Sequence, residues 1–185
     1  EAMRYHQLGQ VDEAETRYRK LMKKAPKMPM LYNNLGLVLQ AQNRIDEAVK
    51  QLERAVKLDR QYLDAHSNLG NAYRRAGKFD AAIKSFERAL KLNPAFIQAL
   101  GNLGNTYLDM GRLEESEKAY RDGLDLLPDQ PDLYYNLGRA LYEQGRWDDA
   151  EESFRKTLSL NHAYPLAHWN LSHLMLLHGR FREGW

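Results

Sequence analysis

The carboxylate pairs Asp12-Glu13, Asp46-Glu47, Glu114-Glu115 and Asp148-Asp149 are of the type that performs general acid–base catalysis. Their placement argues for another role. Each pair recurs at one phase of a 34-residue spacing, at the start of a helical run. Negative charge in a first turn complements the free N–H groups and the helix dipole. A unique active site does not recur four times. Among the six histidines, His162, His168, His173 and His178 are separated by five and six residues. Metal-binding pairs on one helical face are spaced i,i+4. Ser67 beside His66 is no nucleophile pair, because adjacent helical side chains diverge. No GxGxxG or GxxxxGK[ST] loop cradles a phosphate, and Gly101-Asn102-Leu103-Gly104 lies inside a helical run. Cysteine is absent, which removes thiolate catalysis, disulfides and Cys-based zinc sites. The reading is a non-enzyme with no cofactor and no metal.

Composition narrows the partners. Basic and acidic residues number 27 and 25, a balance that leaves no general footprint for nucleic acid. No stretch approaches the ~18 apolar residues of a membrane span, so no membrane insertion is expected. A cytoplasmic location is the expectation.

The elements behind these residues repeat. Gly36, Gly70, Gly104 and Gly138 stand 34 residues apart, and Ala2 and Ser172 extend the series. Asn-Leu precedes the position each time, at Asn34, Asn68, Asn102, Asn136 and Asn170. Ala14, Ala48, Ala82, Ser116 and Ala150 form a second small-residue series. Gly9, Asn43, Gly77, Gly111, Gly145 and Gly179 form a third. Gly and Asn tolerate the left-handed backbone that closes a helix. All six prolines fall at two phases: Pro26, Pro94 and Pro128 after a helical run, and Pro29, Pro131 and Pro165 at the start of one. Apolar residues between these marks run at i, i+3, i+4 and i+7. Each unit is two antiparallel helices of about 12–14 residues, here called A and B.

Small residues at positions 8, 20 and 27, an aromatic or leucine at 11 and 24, and frequent proline at 32 resemble the tetratricopeptide pattern. The chain supplies Tyr73 and Tyr107 at 11, Phe86, Tyr120 and Phe154 at 24, and Ala55 and Ala89 at 27. Leu21 and Thr157 at 27, and Arg60 and His162 at 32, depart from it. The resemblance covers essentially the whole chain and implies an all-α, right-handed α-solenoid. Complete repeats are expected at 29–62, 63–96, 97–130 and 131–164, flanked by partial repeats at 1–28 and 165–185, in one continuous domain. The chain reads as a fragment whose parent continues past Trp185.

The resemblance also implies that A helices line a concave groove, with positions 2, 5, 6, 9, 12 and 13 facing in. Position 6 is then Asn34, Asn68, Asn102, Asn136 and Asn170, and position 9 adds Asn71 and Asn105. An amide offers one acceptor and two donors, so it can bond a peptide backbone without reading its side chains. With helices ~10 Å apart and ~3.3 Å of rise per extended residue, one asparagine would meet about every third residue of a ligand. A similar ladder marks the superhelix of O-linked N-acetylglucosamine transferases. Side-chain choice is expected from Arg74, Arg75 and Arg139 and from Tyr135, Tyr142 and Trp169, with Asp64, Asp109 and Asp132 diluting the charge. The expected partner is a protein or peptide with apolar and acidic side chains. Capture of a chaperone's C-terminal carboxylate is disfavoured, because no A helix carries Lys or Arg at positions 2 or 6.

Two alternatives stand beside the groove. Residues 1–96 hold 18 basic and 11 acidic residues, and 97–185 hold 9 and 14. Opposite charge at the two ends favours self-association head to tail. The ending Leu176-Leu177-His178-Gly179-Arg180-Phe181-Arg182-Glu183-Gly184-Trp185 resembles a bacterial junction before a glycosyltransferase-like domain, for which this segment would recruit substrates.

Overall fold

The turn inside each repeat closes on left-handed backbone: Gly9, Asn43, Gly77, Gly111 and Gly145 have φ between 60° and 74°. Helices therefore stop and reverse at these residues. The computed structural model describes residues 2–177, and among them are eleven α-helices and no strand. They are α1 (Ala2–Gln7), α2 (Val11–Lys24), α3 (Pro29–Ala41), α4 (Ile45–Leu58), α5 (Leu63–Arg75) and α6 (Phe79–Leu92). They continue as α7 (Ile97–Asp109), α8 (Leu113–Leu126), α9 (Pro131–Glu143), α10 (Trp147–Leu160) and α11 (Pro165–Leu177). Odd-numbered helices are A helices and even-numbered ones are B helices. The architecture is an all-α solenoid of helical repeats. None of the described helices is long and apolar enough to cross a membrane.

Helix pairing rests on a small-against-large contact. A Cβ added at Gly36 would lie 2.6 Å from Leu52 Cγ, and one at Gly70 would lie 2.6 Å from Phe86 Cε1. The same clash would occur at Gly104 with Tyr120 (2.5 Å) and at Gly138 with Phe154 (2.7 Å). Position 8 is thus empty so that position 24 of the B helix can seat against the A-helix backbone. Leu52, Phe86, Tyr120 and Phe154 are accordingly fully buried.

B helices start without a side-chain cap at Gln10, Arg44, Lys78, Arg112 and Arg146. Three of those arginines instead clasp an acid of the first turn: Arg44 with Glu47 (2.7 Å), Arg112 with Glu115 (2.6 Å) and Arg146 with Asp149 (2.6 Å). At the other end, Asp59, Asn93 and Asn161 accept the backbone N–H two residues on, at 2.8–3.1 Å, which turns the chain toward the next A helix.

The contacts gather into two compact units, one ending at Ala99 and one beginning at Leu100. The first buries Tyr18, Leu31, Leu35, Val38, Leu39 and Leu52. Arg44 adds a pair with Glu15 of the preceding B helix at 2.6 Å. The second unit buries Leu133, Leu137, Leu141, Tyr120 and Phe154. Arg146 repeats the reach to the preceding B helix, pairing with Glu117 at 2.7 Å.

Candidate functional site

On the A helices of the first unit, Asn34 and Asn68 are half-buried and Asn33, one residue before, is buried at 3% exposure. The three amides form a chain. Asn68 Nδ2 donates to Asn33 Oδ1 at 2.9 Å, and Asn33 Nδ2 donates to Asn34 Oδ1 at 3.1 Å. Asn68 keeps its Oδ1 as an acceptor. These residues line a hollow of about 340 Å³ with Met3, Met30, Leu37, Tyr62, Asp64 and Gln98. Burial, then the nearby Asp64 and Asp59 carboxylates, push the Tyr62 phenol up.

Asn71 is half-buried, and no hydrogen bond to its side chain occurs among the described residues. Arg74 is half-buried and has a partner. Arg75 is exposed. It donates to the Gln40 carbonyl at 2.8 Å and to Asn43 Oδ1 at 3.0 Å, clamping the end of the preceding A helix.

In the second unit Asn102 and Asn136 are half-buried, and neither side chain is hydrogen bonded among the described residues. Asn105 accepts from the Tyr120 hydroxyl at 2.7 Å. This bond orients it and leaves Nδ2 as donor. Asn170 Nδ2 donates to the Tyr135 hydroxyl at 3.2 Å. Arg139 is exposed.

Tyr135 departs from the expectation that it chooses ligand side chains. It is 9% exposed, and its ring lies 5.1 Å from Tyr164 and 5.9 Å from Phe154. The cause is its position. Residue 5 of an A helix sits beneath the following repeat, as Asn33 does under Asn68 and as Gly101 does against Leu133, whose Cδ2 is 3.1 Å from a Cβ built there. Trp169 holds the same position and is 66% exposed. Its indole stacks on His173, with centroids 5.6 Å apart and planes at 7°. Tyr142 is half-buried and lies 6.3 Å from the His173 ring. His66 and His168 each engage a backbone carbonyl six residues earlier, Arg60 O at 3.1 Å and His162 O at 2.8 Å. The junction motif from His178 onward lies outside the described residues.

Sequence reasoning passed over Asn33, Met30 and the pairing of Asp64 with Asn68. Asp64 and Asn68 are four residues apart in one helix, a spacing that signals a shared face. Nothing in the sequence marks Asn33 as the amide linking Asn34 to Asn68, a contact made one repeat away.

Comparisons with known proteins agree with this geometry. Family models described as tetratricopeptide repeat match residues 27–95, and 67–131 with 102–168. No curated protein matches significantly. Among solved structures, MamA is 27% identical, with a TM-score of 0.78 over 87% of this chain and 94% of its own. PilF of Pseudomonas aeruginosa is 18% identical, with a TM-score of 0.85 over 99% of this chain and 83% of its own. A thermophilic tetratricopeptide protein of Thermus thermophilus is 20% identical, with a TM-score of 0.76 over 95% of each chain. With its glycines at position 8 seating the large residues of position 24 in repeat after repeat, the chain belongs to the tetratricopeptide repeat family.

Proposed function

We propose that this tetratricopeptide scaffold holds an extended segment of a protein partner on its A-helix faces. Proteins built of these repeats are generally interaction scaffolds without catalysis, and protein partners follow from the family. One observation supports the finer reading. Position 6 is a half-buried asparagine in every A helix that reaches it, and Asn68, Asn102, Asn136 and Asn170 each keep at least one amide group without a protein hydrogen bond among the described residues. Asn34 and Asn68 serve the first unit, and Asn102, Asn136 and Asn170 the second, with Asn71 and Asn105 beside them. Arg74, Arg139 and Trp169 select side chains.

The test is a selection from a random twelve-residue peptide library on the protein and on the triple variant Asn68→Ala, Asn102→Ala, Asn136→Ala. Enrichment that is lost on the variant supports a groove that grips backbone. Equal enrichment on both proteins rejects it.

A second reading, self-association, draws on charge: residues 1–96 hold 18 basic and 11 acidic residues, and 97–185 hold 9 and 14. Light scattering at low and high salt decides this. A monomer under both conditions removes the idea.

A further inference from the structure

The hollow of the first unit has chemistry of one sign. Its lining carries a single charged residue, Asp64, which is exposed and makes no ion pair or hydrogen bond among the described residues. Asp64 and Asn68 stand four residues apart in α5 and both face the hollow. Asn68 spends an Nδ2 donor on Asn33, so the group it has left without a protein partner is chiefly the acceptor Oδ1. That orientation is held, because Asn33 is itself buried and anchored on Asn34. The α5 wall therefore offers a carboxylate and an amide oxygen one helical turn apart. Opposite it, α3 supplies Met30 and Leu37, with Met3 beside them. Thioethers adapt to irregular shapes, and long basic side chains lay their methylenes on such surfaces.

We infer that this hollow takes an arginine or lysine side chain of the bound segment. The inference rests on the A-helix face being a peptide groove. Guanidinium and ammonium groups are donors only and match two acceptors without leaving one idle. The stem of the side chain covers Met30 and Leu37. A glutamate in this place would meet Asp64 with no lining cation to offset it. The first unit thereby reads a basic residue, where the sequence led to the expectation of a partner with apolar and acidic side chains facing Arg74, Arg75 and Arg139.

The experiment is a random twelve-residue peptide selection run side by side on the protein, on Asp64→Asn, on Asp64→Lys and on the triple asparagine variant. Asp64 is exposed, so its variants fold, which circular dichroism verifies. The expected pool on the parent is enriched about three- to ten-fold in arginine or lysine at one position. That enrichment falls to background on Asp64→Asn and turns acidic on Asp64→Lys. Pools that are enriched but identical on the three Asp64 forms overturn the basic pocket and leave the groove intact. An absence of enrichment on the parent, or equal enrichment on the triple variant, overturns the groove and the pocket with it.

Discussion

In the first unit Asn68 reaches back to the preceding repeat and donates to Asn33, and in the second Asn170 does the same to the Tyr135 hydroxyl. Asn136 lies between these cases. The residue it would reach, at position 5 of its predecessor, is Gly101, which has no side chain to accept, and Asn136 makes no such bond. The same amide at the same register is a strut at Asn68 and Asn170 and a free hand at Asn136. At Asn136 the residue 35 positions earlier has no side chain to accept, so a repeat's chemistry depends on its neighbour as well as on itself. The two acceptors also differ. Asn33 passes the bond on to Asn34, keeping an all-amide chain beside the hollow that Asp64 also lines. Tyr135 ends the chain and spends its ring on Phe154 and Tyr164.

The largest test of this contrast lies in the core. Phe86→Ala and Phe154→Ala each remove a fully buried ring and should cost about 3–5 kcal/mol by chemical denaturation. Phe154 also supports Tyr135, so its loss should be the costlier and should change the Tyr135 environment in near-ultraviolet circular dichroism. Equal costs with no such change would mean that the ring contact in the second unit is incidental.

A smaller effect comes from the struts. Asn33→Ala strands the Asn68 donor and should cost about 1–2 kcal/mol, and Tyr135→Phe, which keeps the ring, about 1 kcal/mol. Asn136→Ala should change stability by less than about 0.5 kcal/mol. If Asn136→Ala costs as much as Asn33→Ala, the distinction between strut and free hand collapses.

The smallest effect is acid dependence, where the units should behave alike. Burial alone would raise the Glu15 carboxyl, but hydrogen bonds from Arg19, Gln42 and Arg44 outweigh it and hold the group below its ordinary value of 4.5. Glu117 is treated identically by Gln144, Arg121 and Arg146. A lowered carboxyl stabilises the fold fully above the unfolded value, and that contribution is lost as pH falls through the folded one. Melting temperature should therefore drop below about pH 4.5, and less steeply in Glu15→Gln and Glu117→Gln. Variants with the parent's slope would show that the two ion-pair networks carry no linkage.

The features that depend on one helix pair were legible in the sequence. The left-handed residues at Gly77 or Gly145, the glycine at 70 facing Phe86 and the acids opening each B helix all repeat with the period. A local rule explains each of them. The site was legible only in outline. Position 6 stood out because the same amide recurs. The burial of Tyr135, the clamp by Arg75 and the relay through Asn33 are contacts between one repeat and the next. At those positions the residue type changes from repeat to repeat, so periodicity gives no warning. An exposed-looking tyrosine and a buried one then have the same signature.

The central claim is that the unbonded amide groups of position 6 meet a ligand. The side-chain amide resonances of the ¹⁵N-labelled protein, recorded while the peptide enriched in the selection is added, test it most directly. The account predicts that the Asn102 and Asn136 side-chain signals shift and exchange more slowly with solvent, while residues exposed on the B helices, such as Arg88 and Glu152, stay unmoved. Binding that shifts B-helix signals and leaves those asparagine amides unchanged would contradict it.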